Sequence, residues 1–310
     1  MIVLILNSYY RSGSTATFWM LNLSNPNKIC LCEPLHPDLF DILRRVRPGE
    51  RDHLHGWPIW DGYFKLPGEI LSKLKRYHQL FRKKFILLLT AEGAITYLRP
   101  LHDLDKHVII KTTRAHLILF RLKQAFKCKT IHLIRNPANV WMDHFHISLK
   151  NSRTIRRISL SKEMWNGMGG AFFLEPTYNI LIRENPYLPR AQDNLERFLI
   201  AWIYTNYYAM RMADVILVYE ILLKLRERYL NDLNRALGFN AFHPSTAKIP
   251  REDLALELPE DRAWLNEIIA SKLLSRRGFL HLRQLYEYIL RRIEKEFNKY
   301  GIRNEYYPRV

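Results

Sequence analysis

The sequence predicts an α/β fold in which a parallel sheet lies between two layers of helices. Short apolar segments rich in β-branched residues alternate with longer segments of helical periodicity. The first apolar segment, residues 1–6, leads through a turn of small residues directly into an amphipathic stretch. The 310 residues, 48% of them hydrophobic, are enough to bury a full core. We expect residues 1–310 to form one domain, with insertions at 38–107 and 150–194 and a helical extension at 258–310.

The first strand and the turn after it predict an anion site. Residues 1–6 are a continuous apolar run, which is typical of a buried parallel strand. The turn and the first residue of the following helix consist of Arg11, Ser12, Gly13, Ser14, Thr15 and Ala16. This order directs the free N–H groups of the first helical turn, and the positive end of the helix dipole, at the loop, which favours phosphate or sulfate. Gly13 lets the backbone approach the anion and Arg11 can donate to its oxygens, although such turns are also common helix caps.

The segment YYRSGSTATFWML resembles the 5'-phosphosulfate loop of sulfotransferases, in particular the carbohydrate sulfotransferases, which have Arg-Ser-Gly-Ser at this place. No Gly-Lys-Ser/Thr follows at the spacing of a Walker A motif, which disfavours a nucleoside triphosphatase. The resemblance implies a three-layer, P-loop-like fold. It also implies transfer of a sulfuryl group from 3'-phosphoadenosine 5'-phosphosulfate (PAPS) to a hydroxyl or amine of a small-molecule or glycan acceptor.

A carboxylate follows the second predicted strand, residues 28–32. The carboxyl ends of parallel strands meet at one edge of the sheet, so we expect Glu33 to lie near the anion loop. The segment CLCEPLHPDLF is similar to the Glu-Pro-Leu segment of the carbohydrate sulfotransferases. The resemblance makes Glu33 the candidate general base, with His36 in reserve, and it implies a reaction without a metal ion.

Residues 108–114 and 129–134 predict a third and a fourth strand, with a helix at 115–126 between them. This strand–helix–strand order is what a parallel sheet requires. The segments IIKTTR and TIHLIRNPANVW closely resemble the corresponding pair in carbohydrate sulfotransferases. Lys111 and Arg114 can help to neutralise the site, although basic residues at a strand end are more often solvated.

In this family an Arg that leaves the fourth strand binds the 3'-phosphate of the donor, and a Ser eight residues later makes a second contact. Arg135 takes the first position, but Asp143 stands in place of the Ser. A carboxylate beside a phosphate is repulsive unless it is protonated or turned aside. His144 or His146 can supply the donor instead, or Asp143 can orient Arg135.

The rest of the chain carries weaker similarities. Residues 195–212 and 222–237 predict helices, with a fifth strand at 215–218 between them. The tetrapeptide YEIL that follows this strand is similar to the family's Tyr-Glu-Asp-Leu corner. Near the C-terminus, Arg277 and Gly278 belong to a segment similar to the Arg-Lys-Gly stretch that cytosolic sulfotransferases use on the 3'-phosphate.

Aromatic side chains in the first insertion are candidates for stacking on a sugar or an aromatic acceptor. They are Trp57, Trp60, Tyr63 and Phe64. Such a cluster more often holds a long loop against the protein surface.

The net charge of +18 favours anionic partners, among them a phosphorylated cofactor, an acidic acceptor, nucleic acid or a membrane surface. The resemblance favours the cofactor, so we expect no nucleic acid. A kinase-like P-loop enzyme and a basic nucleic-acid-binding protein remain the alternatives. Cys30, Cys32 and Cys128 fit neither a disulfide framework nor paired metal-binding spacing, and we expect them to be reduced. No segment reaches transmembrane length, so we expect a cytoplasmic protein.

Overall fold

The computed structural model describes residues 1–52, 56–82, 87–146, 174–243 and 259–309. The chain divides into two compact units. The first unit combines Met1–Ile134 with Ala209–Ile249, and the second combines Arg135–Tyr208 with Pro250–Val310. The expectation of one domain stays a prediction.

A five-stranded parallel sheet forms the centre of the first unit. Its strands are β1 (Ile2–Ser8), β2 (Ile29–Cys32), β3 (Val108–Thr112), β4 (Lys129–Ile134) and β5 (Val215–Val218). Their order in the sheet is β2-β3-β1-β4-β5. Every strand residue except Val3 and Lys129 is buried, so both faces of the sheet are covered, as is usual for parallel sheets. The predicted α/β fold and its five strands are confirmed.

Helices join and flank the strands. They are α1 (Ser14–Ser24), α2 (Leu39–Leu43), α3 (Asp61–Phe64), α4 (Gly68–Phe81), α5 (Glu92–His102), α6 (Leu119–Phe126), α7 (Pro137–His146), α8 (Leu174–Glu184), α9 (Asn194–Met212), α10 (Tyr219–Leu237), α11 (Pro259–Ser275) and α12 (Leu280–Lys299). A short 3-10 helix, Arg277–Phe279, separates the last two. The sequence patterns did not predict α5 or α8, each of which contains a proline. Pro176 lies in the first turn of α8, where proline is tolerated, and Pro100 lies near the end of α5.

The strand order determines where a ligand can bind in the first unit. β1 lies between β3 and β4, so the connections from neighbouring strands leave the sheet in opposite directions. In open α/β sheets, ligands bind outside the carboxyl ends of the strands at such a switch point. The loop that follows β1 therefore occupies the most favourable position of the sheet for a binding site.

The second unit is helical. The ring centroids of Trp202 on α9 and Tyr286 on α12 lie 6.2 Å apart in its core. At the start of α9, Glu196 forms an ion pair with Arg276, just after the end of α11. Among the described residues, no helix combines the length and the apolar character that crossing a membrane requires. The same residues contain no group of three His, Cys, Asp or Glu side chains that could hold a metal ion.

Candidate functional site

The anion loop, residues 9–13, turns sharply between β1 and α1. Arg11 and Gly13 both have left-handed backbone conformations, with φ of 60° and 78°. A Cβ atom on Gly13 would lie 2.2 Å from Cε2 of Tyr219, the first residue of α10. Glycine at position 13 is therefore required both by the backbone conformation and by the packed tyrosine ring.

Donors at the start of α1 are available to a ligand. Gly13 is the N-cap residue and has no side chain to satisfy the N–H groups of the first turn, and that turn contains no acidic residue. The Ser12 side chain is completely buried, and its Oγ has no hydrogen-bond partner among the described residues. A buried hydroxyl without a partner is costly, so this loop is suited to a bound anion that would accept its hydrogen bond.

Glu33 lies at the end of β2 and is held by two cations. Its Oε1 atom is 2.8 Å from Nζ of Lys111, and its Oε2 atom accepts from Nη1 of Arg114 at 2.8 Å. The backbone N–H of Thr113 also donates to Oε2, over 3.2 Å. Burial acts to raise the pKa of Glu33, but the charges of Lys111 and Arg114 outweigh it and lower the pKa to about 2. The carboxylate is therefore ionised at every physiological pH.

The three bonds do not saturate the carboxylate. An ionised carboxylate can accept about four hydrogen bonds, and the bonds from Lys111, Arg114 and Thr113 use three positions. The remaining position is on Oε1, which in the described residues accepts only from Lys111. A hydroxyl of a ligand could donate to this atom.

Arg114 connects the Glu33 cluster to the anion loop. Its guanidinium carbon lies 5.3 Å from the ring centroid of Tyr10, the residue that precedes Arg11. Burial raises the pKa of the Tyr10 hydroxyl, against the opposing effect of the Arg114 charge. Of the two alternatives given for Lys111 and Arg114, solvated strand ends are wrong, because both side chains are at most 5% exposed and pair with Glu33.

His36 is placed close to this cluster but is poorly suited to accept a proton. Its Nδ1 atom accepts from the backbone N–H of Asp38 over 3.0 Å, and its carbonyl oxygen accepts from Nε2 of His78 over 2.8 Å. Burial and the positive charge of Arg114 lower the pKa of His36 to about 3. His36 is therefore neutral near pH 7.

A buried polar layer beneath the loop was not predicted from the sequence. Asn7 on β1 donates from Nδ2 to Nδ1 of His132 on β4 over 3.0 Å, and neither side chain is exposed. The ring of His116 lies 5.8 Å from that of His132 and 5.9 Å from that of Tyr9. Burial and His132 hold the pKa of His116 far below its usual value. A signal was present in the sequence, because Asn7 follows the apolar run of β1 and His132 interrupts the apolar run of β4.

The aromatic residues named as candidates for stacking on an acceptor are largely used for internal packing. The hydroxyl of Tyr63 donates to the carbonyl oxygen of Cys32 over 2.8 Å, and Trp60 is buried. The ring of Trp57 is parallel to that of Trp19 on α1, with centroids 6.0 Å apart. The alternative interpretation, in which these rings hold the insertion against the sheet, describes their contacts better.

In the second unit, Arg135 and Asp143 form an ion pair. Nη1 of Arg135 lies 2.5 Å from Oδ2 of Asp143, and the side chains are 6% and 25% exposed. Of the alternatives considered for Asp143, this contact fits the one in which it orients Arg135. The side chains of His144 and His146 lie outside the part of the chain that the structure describes.

The two arginines of residues 275–278, near the C-terminus, differ in their contacts and exposure. Arg276 forms an ion pair with Glu196 and lies over the Phe279 ring. Arg277 and Gly278 are exposed in the 3-10 helix. Their assignment to a 3'-phosphate stays a prediction.

A curated relative places the chain in a protein family. An uncharacterised protein of Archaeoglobus fulgidus is 32% identical to it over 273 residues, which cover 80% of this chain and 87% of that protein. The two proteins belong to one family. No family model matches the chain.

Three solved structures are similar to the chain described here. A sulfotransferase from Alicyclobacillus acidocaldarius has a TM-score of 0.41 at 14% identity and covers 91% of this chain and 96% of its own. The mouse sulfotransferase SULT7A1, in a complex with PAP, has a TM-score of 0.38 at 14% identity, with coverages of 93% and 88%. The sulfotransferase domain of the Synechococcus PCC 7002 olefin synthase has a TM-score of 0.33 at 16% identity, with coverages of 87% and 94%. The function proposed for the chain rests instead on its own residues.

The first unit brings together most of the residues singled out in the sequence. Its sheet edge carries the loop after β1 and the Glu33 cluster, linked through Tyr10 and Arg114. Arg135 and Asp143 are paired within the second unit. The catalytic and binding roles assigned to these residues stay predictions.

Proposed function

We propose that this protein is a sulfotransferase, which transfers a sulfuryl group from PAPS to a hydroxyl or amine of a small-molecule or glycan acceptor. The observation that carries the proposal is the anion loop. It combines the uncapped start of α1, a first turn without acidic residues and the buried Ser12 hydroxyl that has no partner among the described residues. These features suit the phosphosulfate end of the donor, and they occur in the segment that resembles the phosphosulfate loop of sulfotransferases.

Charge at the loop supports transfer chemistry. When the bond between the sulfuryl sulfur and the bridging oxygen breaks, the electron pair stays on the departing 5'-phosphate. The N–H groups of residues 13–16 and the guanidinium of Arg11 would stabilise the charge that develops there. Because the helix dipole and these donors are fixed before the reaction, they need no reorganisation during it.

Glu33 is proposed to accept the proton of the acceptor. A carboxylate whose pKa is about 2 is a weak base toward a free hydroxyl. The acceptor oxygen becomes far more acidic once its bond to sulfur forms, so a late proton transfer to Oε1 remains favourable. Lys111 and Arg114 hold the carboxylate in place for that step.

Arg135 is proposed to contact the 3'-phosphate of the donor, and Asp143 to control the orientation of its guanidinium. The support is the position of Arg135 in the Arg-Asn-Pro segment and its contact with Asp143. Arg277 and Gly278 are a second candidate for that phosphate.

Thermal-shift and calorimetric titrations with three ligands test the proposal. We expect 3'-phosphoadenosine 5'-phosphate to raise the melting temperature and to bind more tightly than ATP with Mg²⁺ or a single-stranded oligonucleotide. Preference for ATP with Mg²⁺ would favour a kinase-like enzyme. Tight oligonucleotide binding that weakens steeply with salt, without nucleotide binding, would favour a nucleic-acid-binding protein.

A further inference from the structure

Helix α4 has one buried stripe and one strongly basic face. Ile70, Leu74 and His78 are buried at a spacing of four residues, which packs that side of the helix against the first unit. Four cations are exposed around the rest of the helix and just after it, which are Lys73, Lys75, Arg76 and Arg82. Lys73 and Arg76, three residues apart, share one side of the helix and are called the α4 basic face below, whereas Lys75 and Arg82 lie toward the other side.

In the part of the chain that the structure describes, no acidic side chain pairs with the α4 basic face. The only carboxylate in α4 is Glu69, in its first turn. Within the described ranges, none of the four cations forms an ion pair. Arg82, directly after the helix, complements the negative end of the dipole, but Lys73 and Lys75 lie too far from that end to do so. The charge of the face is therefore not explained by the stability of the helix.

A large apolar residue is exposed among these cations. Leu80 is 66% exposed. Among the described residues of the first unit, no other large hydrophobic side chain is as exposed. It follows Lys73 and Arg76 at helical spacings of seven and four residues, so the three side chains share one side of the helix. Cations beside an exposed apolar side chain are typical of helices that lie in the interface of an anionic bilayer.

We propose that the α4 basic face docks the protein on an anionic lipid surface, with Leu80 entering the headgroup region. The cations are complementary to acidic headgroups, and the net charge of +18 adds long-range attraction. A soluble polyanion would be attracted by the same cations, but it would gain nothing from Leu80. The inference goes beyond the proposed sulfuryl transfer and does not depend on it.

Sedimentation with vesicles tests the proposal on the full chain. The probes are vesicles of phosphatidylcholine with 30% phosphatidylglycerol, and vesicles of phosphatidylcholine alone as the neutral control. We expect binding to the anionic vesicles only, weakening as salt rises. Lys73→Ala together with Arg76→Ala should lower the partition coefficient about 25-fold, at about 5-fold for each cation removed near the surface. The matched control, Lys106→Ala with Lys129→Ala, removes two exposed cations elsewhere in the first unit and should lower it less than 5-fold.

Leu80→Ser separates a lipid surface from a soluble polyanion. We expect it to weaken vesicle binding at least threefold and to leave binding of a single-stranded oligonucleotide unchanged. The proposal is overturned if wild-type protein does not sediment with anionic vesicles, or if the control pair weakens binding as much as the α4 pair. It is also overturned if Leu80→Ser has no effect on vesicle binding while the α4 pair weakens oligonucleotide binding, because the partner would then be a soluble polyanion. Circular dichroism and melting curves show that each variant is folded.

Discussion

Nη1 of Arg114 donates a hydrogen bond to Oε2 of Glu33 over 2.8 Å, with both side chains at most 9% exposed. Removing one partner of such a buried pair leaves the other charge without compensation, which is strongly destabilising. Glu33 is therefore expected to contribute to stability as well as to the proposed reaction. The two contributions can be measured separately.

Stability should fall in acid because of Glu33. Its pKa in the folded protein is about 2, below its ordinary value of 4.5, so its contribution to the free energy of unfolding is complete above pH 4.5. The contribution is lost as the pH falls from 4.5 towards 2. We expect Glu33→Gln to lower the free energy of unfolding by about 3 kcal/mol at pH 7. The difference from wild type should shrink steadily below pH 4.5 in urea titrations.

Glu184→Gln is the control for that measurement, because Glu184 is 44% exposed and pairs with the exposed Arg183. Removing this surface pair should change the free energy of unfolding by less than ~1 kcal/mol. A difference between wild type and Glu33→Gln that is constant from pH 7 to pH 2 would contradict the ion-pair explanation.

Substitution of Gly13 should show how closely the anion loop is packed. Gly13→Ala adds a Cβ 2.2 Å from the Tyr219 ring, whereas Gly49→Ala adds one with nothing within 4 Å. Both glycines have a positive φ, 78° and 76°, so the backbone strain of the two variants is similar. We expect Gly13→Ala to destabilise the protein by about 1 to 3 kcal/mol more than Gly49→Ala, as overpacking does. Equal melting temperatures of the two variants would show that the loop adapts to the added methyl group.

The fold could be predicted from sequence because its signals are local. Apolar runs end at polar residues in β1 and β3, and each strand lies within two residues of its predicted position. Helices α5 and α8 were not predicted, and each contains a proline, whose effect depends on its place in the helix.

The candidate site could be predicted only in part. Glu33 was found from the segment around it, but its partners Lys111 and Arg114 are about 80 residues away in sequence. Their pairing depends on β2 lying next to β3 with Cys32 opposite Lys111, which no local pattern reveals. The low pKa of Glu33 follows from that pairing, so it could not be predicted from the sequence either.

Arg11→Ala tests the anion loop directly. The substitution removes a charged donor from the proposed phosphosulfate site, and we expect it to weaken binding of 3'-phosphoadenosine 5'-phosphate by about 1.5 to 3 kcal/mol in calorimetry. Arg44→Ala removes the same type of side chain at an exposed position of the same unit, and it should leave the affinity unchanged. Equal affinities of the wild type and Arg11→Ala would exclude Arg11 from the nucleotide site.

Glu33→Gln should separate binding from turnover. The amide preserves the shape of the side chain but cannot take a proton, so we expect turnover to fall about 100-fold or more. The affinity for 3'-phosphoadenosine 5'-phosphate should stay within threefold of wild type, and this is measured on folded protein at pH 7. If turnover with an identified acceptor also stays within threefold, another group takes the proton. His36, whose pKa is lowered to about 3, is then the next residue to replace.

Asp143 gives the sharpest test of the proposed donor, because it pairs with the residue that should read the 3'-phosphate. Oδ2 of Asp143 lies 2.5 Å from Nη1 of Arg135, so a phosphate at Arg135 would meet a carboxylate of like charge. We expect Asp143→Ser to weaken binding of 3'-phosphoadenosine 5'-phosphate up to about tenfold, because losing the carboxylate that orients the guanidinium of Arg135 outweighs the relief of that repulsion. Adenosine 5'-phosphosulfate lacks the 3'-phosphate and should bind this variant and wild type alike in competition titrations.

Arg135→Ala is the matched variant. It should weaken the binding of the 3'-phosphorylated nucleotide only. Tighter binding of that nucleotide to Asp143→Ser would mean that Asp143 acts mainly by repelling the phosphate. If Arg135→Ala weakens both nucleotides equally, this segment does not recognise the 3'-phosphate, and PAPS must be withdrawn as the proposed donor.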